Sequence, residues 1–219
     1  MVAHLTGGQE VAGSNPAAPT TNLIGHGAMR LSEPRIQPVQ DDEANDEQRE
    51  VLAASSFSRR PPLNVQRTTA HHPALARARQ TFTRHIMSQS TLPPRERELL
   101  ILRTGWNCRS EYEFAQHTRF GRSVGLSDAE IQRVAEGPDA DAWDEFESTL
   151  LRAADELHED AFITDQTWNA LAERYSTQQL MDLVFTVGQY HIVSMALNSF
   201  GVQFEPDTTD RFPKIASQE

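Results

Sequence analysis

Cysteine is almost missing: Cys108 stands alone in 219 residues, so neither a disulfide framework nor a four-cysteine zinc site can be assembled from the chain. Basic side chains are in the minority, 20 Lys and Arg against 31 Asp and Glu for a net charge of -11. No Lys/Arg run follows a helix face, which excludes a phosphate backbone as an expected partner, and nucleic-acid binding is set aside. No apolar run approaches the ~20 residues that a bilayer span requires, and the N-terminus lacks the basic region and apolar core of a secretion signal. A cytoplasmic protein with no membrane partner is therefore expected. The β-branched alternation of a sheet is missing as well.

What is present is helical punctuation. Residues 1–40 hold five of the eleven glycines, four of the twelve prolines and four charged side chains, without periodicity, and read as a disordered or extended arm. Residues 1–28 are open to reading as a leader, because MRLSEPRIQPV from Met29 has the look of a second start. From Asp41 the chain reads as one helical domain to residue 202, with 203–219 as a tail. Acids open a helix that ends before Pro61 and Pro62, and Pro73 and Pro94 sit at first helical positions. Ser127 to Glu130 forms a capping box, and Thr164 and Ser176 are N-caps. Helices are expected over 73–88, 95–106, 110–125, a short one stopped by Gly137 and Pro138, then 141–158, 165–175 and 177–200, closed by Gly201. The class is all-α, a compact bundle of seven or eight helices. Helices 95–106 and 177–200 are so uniformly apolar that they need the centre of the packing or a subunit interface, and a homo-oligomer follows.

The most informative eight residues are SEYEFAQH, Ser110 to His117. On a helix, Ser110, Glu113 and His117 share one stripe, so the carboxylate can hold one imidazole nitrogen and leave the other free to exchange protons with a substrate. The plain alternative is a solvated i, i+4 pair worth only ~0.3–0.5 kcal/mol. Tyr112, Phe114 and Phe120 favour a buried helix. Glu98 begins the apolar run LLIL, where low dielectric makes it a candidate proton relay, unless it is simply paired with Arg95 or Arg97.

Four further side chains are candidate substrate contacts. Ser110 offers a hydroxyl. Arg103 could grip a carboxylate bidentately, although it points about 140° round the helix from Glu98 and equally suits a helix C-terminus. Tyr190 and His191 lie mid-helix in an apolar setting where each needs a partner. A metal site from Glu113, His117 and His191 is only weakly indicated by E-x-x-x-H spacing, and His71 and His72 beside Pro73 suit an ordinary helix entry. Cys108, with no resolving partner, suits a small half-buried residue better than a nucleophile.

The stretch LPPRERELLILRTGWNCRSEYEFAQH, Leu92 to His117, with GLSDAEI after it and QYHIVSMALNSFGV from Gln189 to Val202, resembles the carboxymuconolactone decarboxylase family within the alkylhydroperoxidase-D-like superfamily. In that family's peroxidase branch a glutamate precedes C-x-x-C, and a histidine follows four residues after the second cysteine. Glu98 and His117 match the glutamate and the histidine, whereas Ser110 and Glu113 stand in place of the cysteines and Cys108 lies two positions early. The resemblance implies a homotrimer or homohexamer that needs no cofactor or metal. It further implies a lyase or isomerase acting on a small carboxylated or lactone-type organic acid, as in aromatic-compound degradation. In that picture His117 is the general acid/base, Glu113 orients it, Glu98 relays protons, and Ser110 or Tyr190 meets the developing oxyanion. The alternatives are a thiol-dependent alkylhydroperoxidase using Cys108 and a non-catalytic helical oligomer.

Overall fold

The computed structural model describes residues 29–55 and 61–214; the reading of 1–28 as a leader falls outside them. Among the described residues there are nine α-helices and no strand: α1 Asp46–Ser55, α2 Asn64–Thr69, α3 Pro73–Arg84, α4 Pro94–Asn107, α5 Glu111–Ser123, α6 Asp128–Glu136, α7 Glu145–Glu159, α8 Asp165–Ala172 and α9 Thr177–Phe200. A five-residue π turn, His85–Gln89, continues α3.

Local chemistry sets most boundaries. Pro73 and Pro94 open α3 and α4, where a missing N–H removes nothing a helix would have used. The side chains of Ser127, Thr164 and Ser176 accept the backbone N–H groups of Glu130, Thr167 and Gln179. One expected start is corrected: α7 begins at Glu145 rather than 141, because the carboxylate that accepts from the Glu147 N–H, at 2.7 Å, belongs to Asp144. His72 caps α3 and His71 reaches the Gln37 carbonyl at 2.9 Å, so neither is drawn into a metal site.

α4 is the axis. Leu99, Leu100, Ile101 and Leu102 have no exposure at all, which four consecutive apolar residues achieve only when a helix is covered on every side. The cover comes from α5, α7 and α9. By length and composition α9 is apolar enough to cross a membrane, against the expectation that no stretch would be, but here it is a core helix. Leu183, Val187, Tyr190 and Leu197 are buried, while Met181, Phe185, Ile192 and Met195 are each more than half exposed along a second stripe.

Packing extends beyond the expected 41–202 limits on both sides. The N–H groups of Arg35 and Ile36 donate to the Phe200 carbonyl, and Leu31 and Val39 are buried. Gly201 permits this approach. Its φ is +70°, and a Cβ there would stand 2.9 Å from the Glu33 carbonyl oxygen, so only glycine fits on both counts. At the other end Phe212 packs its ring on Trp106 and Phe114.

Candidate active site

The turn between α4 and α5 is only three residues, and Arg109 adopts a left-handed φ of 52° to make it. The two helices return alongside each other, so Glu98 and His117, 19 residues apart, meet: His117 Nδ1 and Glu98 Oε2 are separated by 2.6 Å. Along α5 itself, His117 Nε2 lies 3.0 Å from Glu113 Oε1. All three are buried, Glu98 completely. The Arg97 guanidinium donates to the other Glu98 oxygen, Oε1, at 3.3 Å. Arg95, the other candidate partner, turns instead to Glu130 and Glu147.

This arrangement corrects the expectation that one imidazole nitrogen would be free. Both are committed to carboxylates. Burial opposes charge on His117, but Glu98 and Glu113 outweigh it and raise the pKa to about 10, so the ring is an imidazolium at neutral pH, bridging two carboxylates. The Tyr190 ring meets it edge-on, with centroids 4.8 Å apart, and Phe120 covers it at 5.2 Å.

The row opens on a cavity of about 340 Å³ whose apolar wall includes Val65, Met87, Phe120 and Val193. That volume suits a small organic molecule. Glu98, Glu113, His117 and Tyr190 all line it, joined by Arg79 and Arg97. Arg79 Nε is buried without a hydrogen-bond partner, and burial pulls its pKa down while Glu113 supports the charge. Formal charges in the cavity are three cations, Arg79, Arg97 and imidazolium His117, against the carboxylates Glu98 and Glu113. On a chain of net charge -11, the cavity is locally positive. Burial, with Glu113 and Glu98 adding to it, pushes the Tyr190 phenol well up, so it stays a donor; its hydroxyl reaches only the Met87 sulfur, at 3.1 Å, a weak acceptor that a substrate oxygen can replace.

Three expected contacts lie elsewhere. Arg103 forks onto Asp155 at 2.6 and 2.9 Å and donates to the carbonyls of Val134 and Ala135, so it ties α4 to α6 and α7. The Ser110 hydroxyl is buried with no partner and does not line the cavity. His191 faces His158, with Nε2 and Nδ1 2.9 Å apart, which separates it from Glu113 and His117 and dissolves the three-residue metal set. Cys108 does not line the cavity either. Burial is the main cause pushing its thiol up to about 11, the wrong direction for a nucleophile.

Arg79 was missed because nothing in ALARARQTF marks it out; only the packing of α3 across the cavity does. Glu205 was missed because it sits in the tail. It accepts from the Tyr112 hydroxyl and the Gln116 amide at 2.6 Å each and from the Asn64 N–H at 2.8 Å, fastening the tail and α2 beside the cavity.

Residues 73–156 match the carboxymuconolactone decarboxylase family. The likeness to that family is confined to this segment of the chain. The matched segment spans α3 to α7 and contains Arg79, Glu98, Glu113 and His117. A peroxidase-related protein with an AhpD core from Ralstonia eutropha JMP134 superposes with a TM-score of 0.69 at 18% identity, covering 79% of this chain and 93% of that one. A peroxidase-related protein from Silicibacter sp. TM1040 gives 0.70 at 14% identity, with coverages of 83% and 98%. The debrominase Bmp8, in complex with 2,3,4-tribromopyrrole, gives 0.66 at 15% identity, covering 80% and 94%. At these identities the likeness is one of fold, and a fold hosts unrelated chemistries. No curated protein matches the chain.

Proposed function

We propose that this protein is an acid/base enzyme acting on a small carboxylated or lactone-type organic acid, by decarboxylation or proton transfer beside a carbonyl. One observation carries the reading: Glu98, His117 and Glu113 form a continuous hydrogen-bonded row that ends in a locally positive cavity. A row of this kind has no packing purpose that apolar residues would not serve more cheaply.

The roles follow from the bonds. Because both His117 nitrogens are occupied, the group that meets the substrate is Glu113, which stands where the peroxidase branch has its second cysteine. The imidazolium supplies the proton that Glu113 passes on, while Glu98, held by Arg97, keeps the charge on the ring. Arg79 receives the substrate carboxylate or carbonyl oxygen. When carbon dioxide leaves, or a proton is removed from the carbon next to the carbonyl, the electron pair moves onto an oxygen, which Arg79 and the Tyr190 hydroxyl stabilise. Glu113 then returns a proton to carbon. Two-cysteine peroxide reduction is disfavoured, since the single cysteine is outside the cavity.

A panel of unsaturated lactone acids and β-keto acids in deuterated buffer tests this by NMR, reading carbon dioxide release and deuterium incorporation at carbon. Turnover should fall ~10²–10⁴-fold in Glu113→Gln. Because the two groups act as one unit, Glu113→Gln with His117→Ala should lose little more than either alone. Folded variants as active as the parent, or an inert parent across the panel, refute the reading.

A further inference from the structure

A separate cluster of metal-ligating side chains lies away from the row. Cys108 caps the C-terminus of α4, His158 is in the last turn of α7 and His191 is mid-α9, and their ligand atoms all fall within 4.8 Å of one another. Cys108 Sγ is 3.9 Å from His158 Nδ1, and that nitrogen is 2.9 Å from His191 Nε2. We propose that Cys108, His158 and His191 bind a thiophilic divalent metal ion of the Zn2+ class, with a fourth coordination position open.

The geometry is close to what such an ion requires. Tetrahedral zinc with nitrogen and sulfur ligands sets the donor atoms about 3.3–3.6 Å apart, so the two imidazoles need to open by about half an ångström and the thiol to close by about that much on His158 and by up to about 1.2 Å on His191. His158 is exposed and free to make that adjustment. His191 is already oriented: its Nδ1 donates to the Val187 carbonyl at 2.9 Å, which fixes the tautomer and leaves the Nε2 lone pair directed at the cluster. Metal-bound histidines are characteristically held this way. Without an ion, the His158 Nδ1–H must donate to His191 Nε2. On binding, that proton moves to the solvent-side Nε2 of His158, and the thiol releases one proton to solvent. One thiolate and two imidazoles favour zinc over magnesium or calcium, which take oxygen ligands.

The proposal is independent of the acid/base reading, because none of the three residues lines the cavity. The full chain, stripped with a chelator under reducing conditions, is titrated with Zn2+ by calorimetry and with Co2+ by absorption. The expected result is one ion per chain, a thiolate-to-cobalt charge-transfer band with the intense visible bands of tetrahedral cobalt, and a zinc-dependent rise of several degrees in melting temperature. Cys108→Ser should remove the charge-transfer band, and His158→Ala should weaken zinc at least about tenfold; circular dichroism confirms that each is folded. Absence of the cobalt band, zinc affinity unchanged in both variants, or equal stabilisation by magnesium overturns the assignment.

Discussion

Raising the pH from 7 to 9 should destabilise the protein chiefly through one side chain. His117 titrates at an ordinary 6.5 in the unfolded chain and at about 10 in the folded one, so the folded state holds a proton that the unfolded state has released. The sign follows: the stabilisation is complete below about pH 6.5 and is lost as pH rises through 10. The shift corresponds to an upper bound of about 5 kcal/mol. More robust is the slope, because one proton retained by the folded state alone lowers the unfolding free energy by about 1.4 kcal/mol per pH unit across the window, whatever the exact upper pKa. His117 is only 6% exposed, so solvent screening removes little of this. Urea unfolding at pH 7, 8 and 9 should show that slope in the parent, and His117→Gln should lack it. Comparing slopes between the two proteins cancels the Cys108 and tyrosine titrations common to both. Imidazole nitrogen shifts by NMR give an independent check, with His117 doubly protonated at pH 8.5. Equal slopes in parent and variant, or a His117 that titrates near 6.5, would refute the bridged imidazolium and with it the assigned proton source.

Two further outcomes follow from side chains outside the row. Asp155→Ala strands the Arg103 guanidinium, a mostly buried cation that forks onto that carboxylate, and should cost about 3 kcal/mol, lowering the melting temperature by ~6–12 °C; an unchanged melting curve would show the fork to be unimportant. The exposed α9 stripe of Met181, Phe185, Ile192 and Met195 repeats at intervals of four, seven and three residues, the spacing of a helix-packing seam, and we expect it to join copies of this chain as the trimer or hexamer the family resemblance implies. Phe185→Asp should then dissociate the assembly, and light scattering that reports a monomeric parent at micromolar concentration would remove that expectation.

Where the sequence was informative, the information was local. Pro73, Pro94, Ser127, Thr164 and Ser176 marked helix starts because a cap or a missing N–H acts within one turn of itself, and Glu113 and His117 were legible as a pair because a helix makes residues four apart neighbours. The same locality explains the misses. α2 is six residues and its N-cap residue, Leu63, has no side-chain acceptor, and the start of α7 depends on which aspartate the folded chain lets bend back. The bond from Glu98 to His117 depends on a left-handed Arg109 closing a three-residue turn. Arg79 enters the cavity from α3, Glu205 reaches Tyr112 from 93 residues away, and Cys108, His158 and His191 come together from three helices. Sequence decided that this chain is helical, where most helices begin, and that an acid/base pair shares one of them. Tertiary packing decided that the histidine is charged and enclosed, because the second carboxylate, the arginines and the wall are brought by helices that no short-range signal connects.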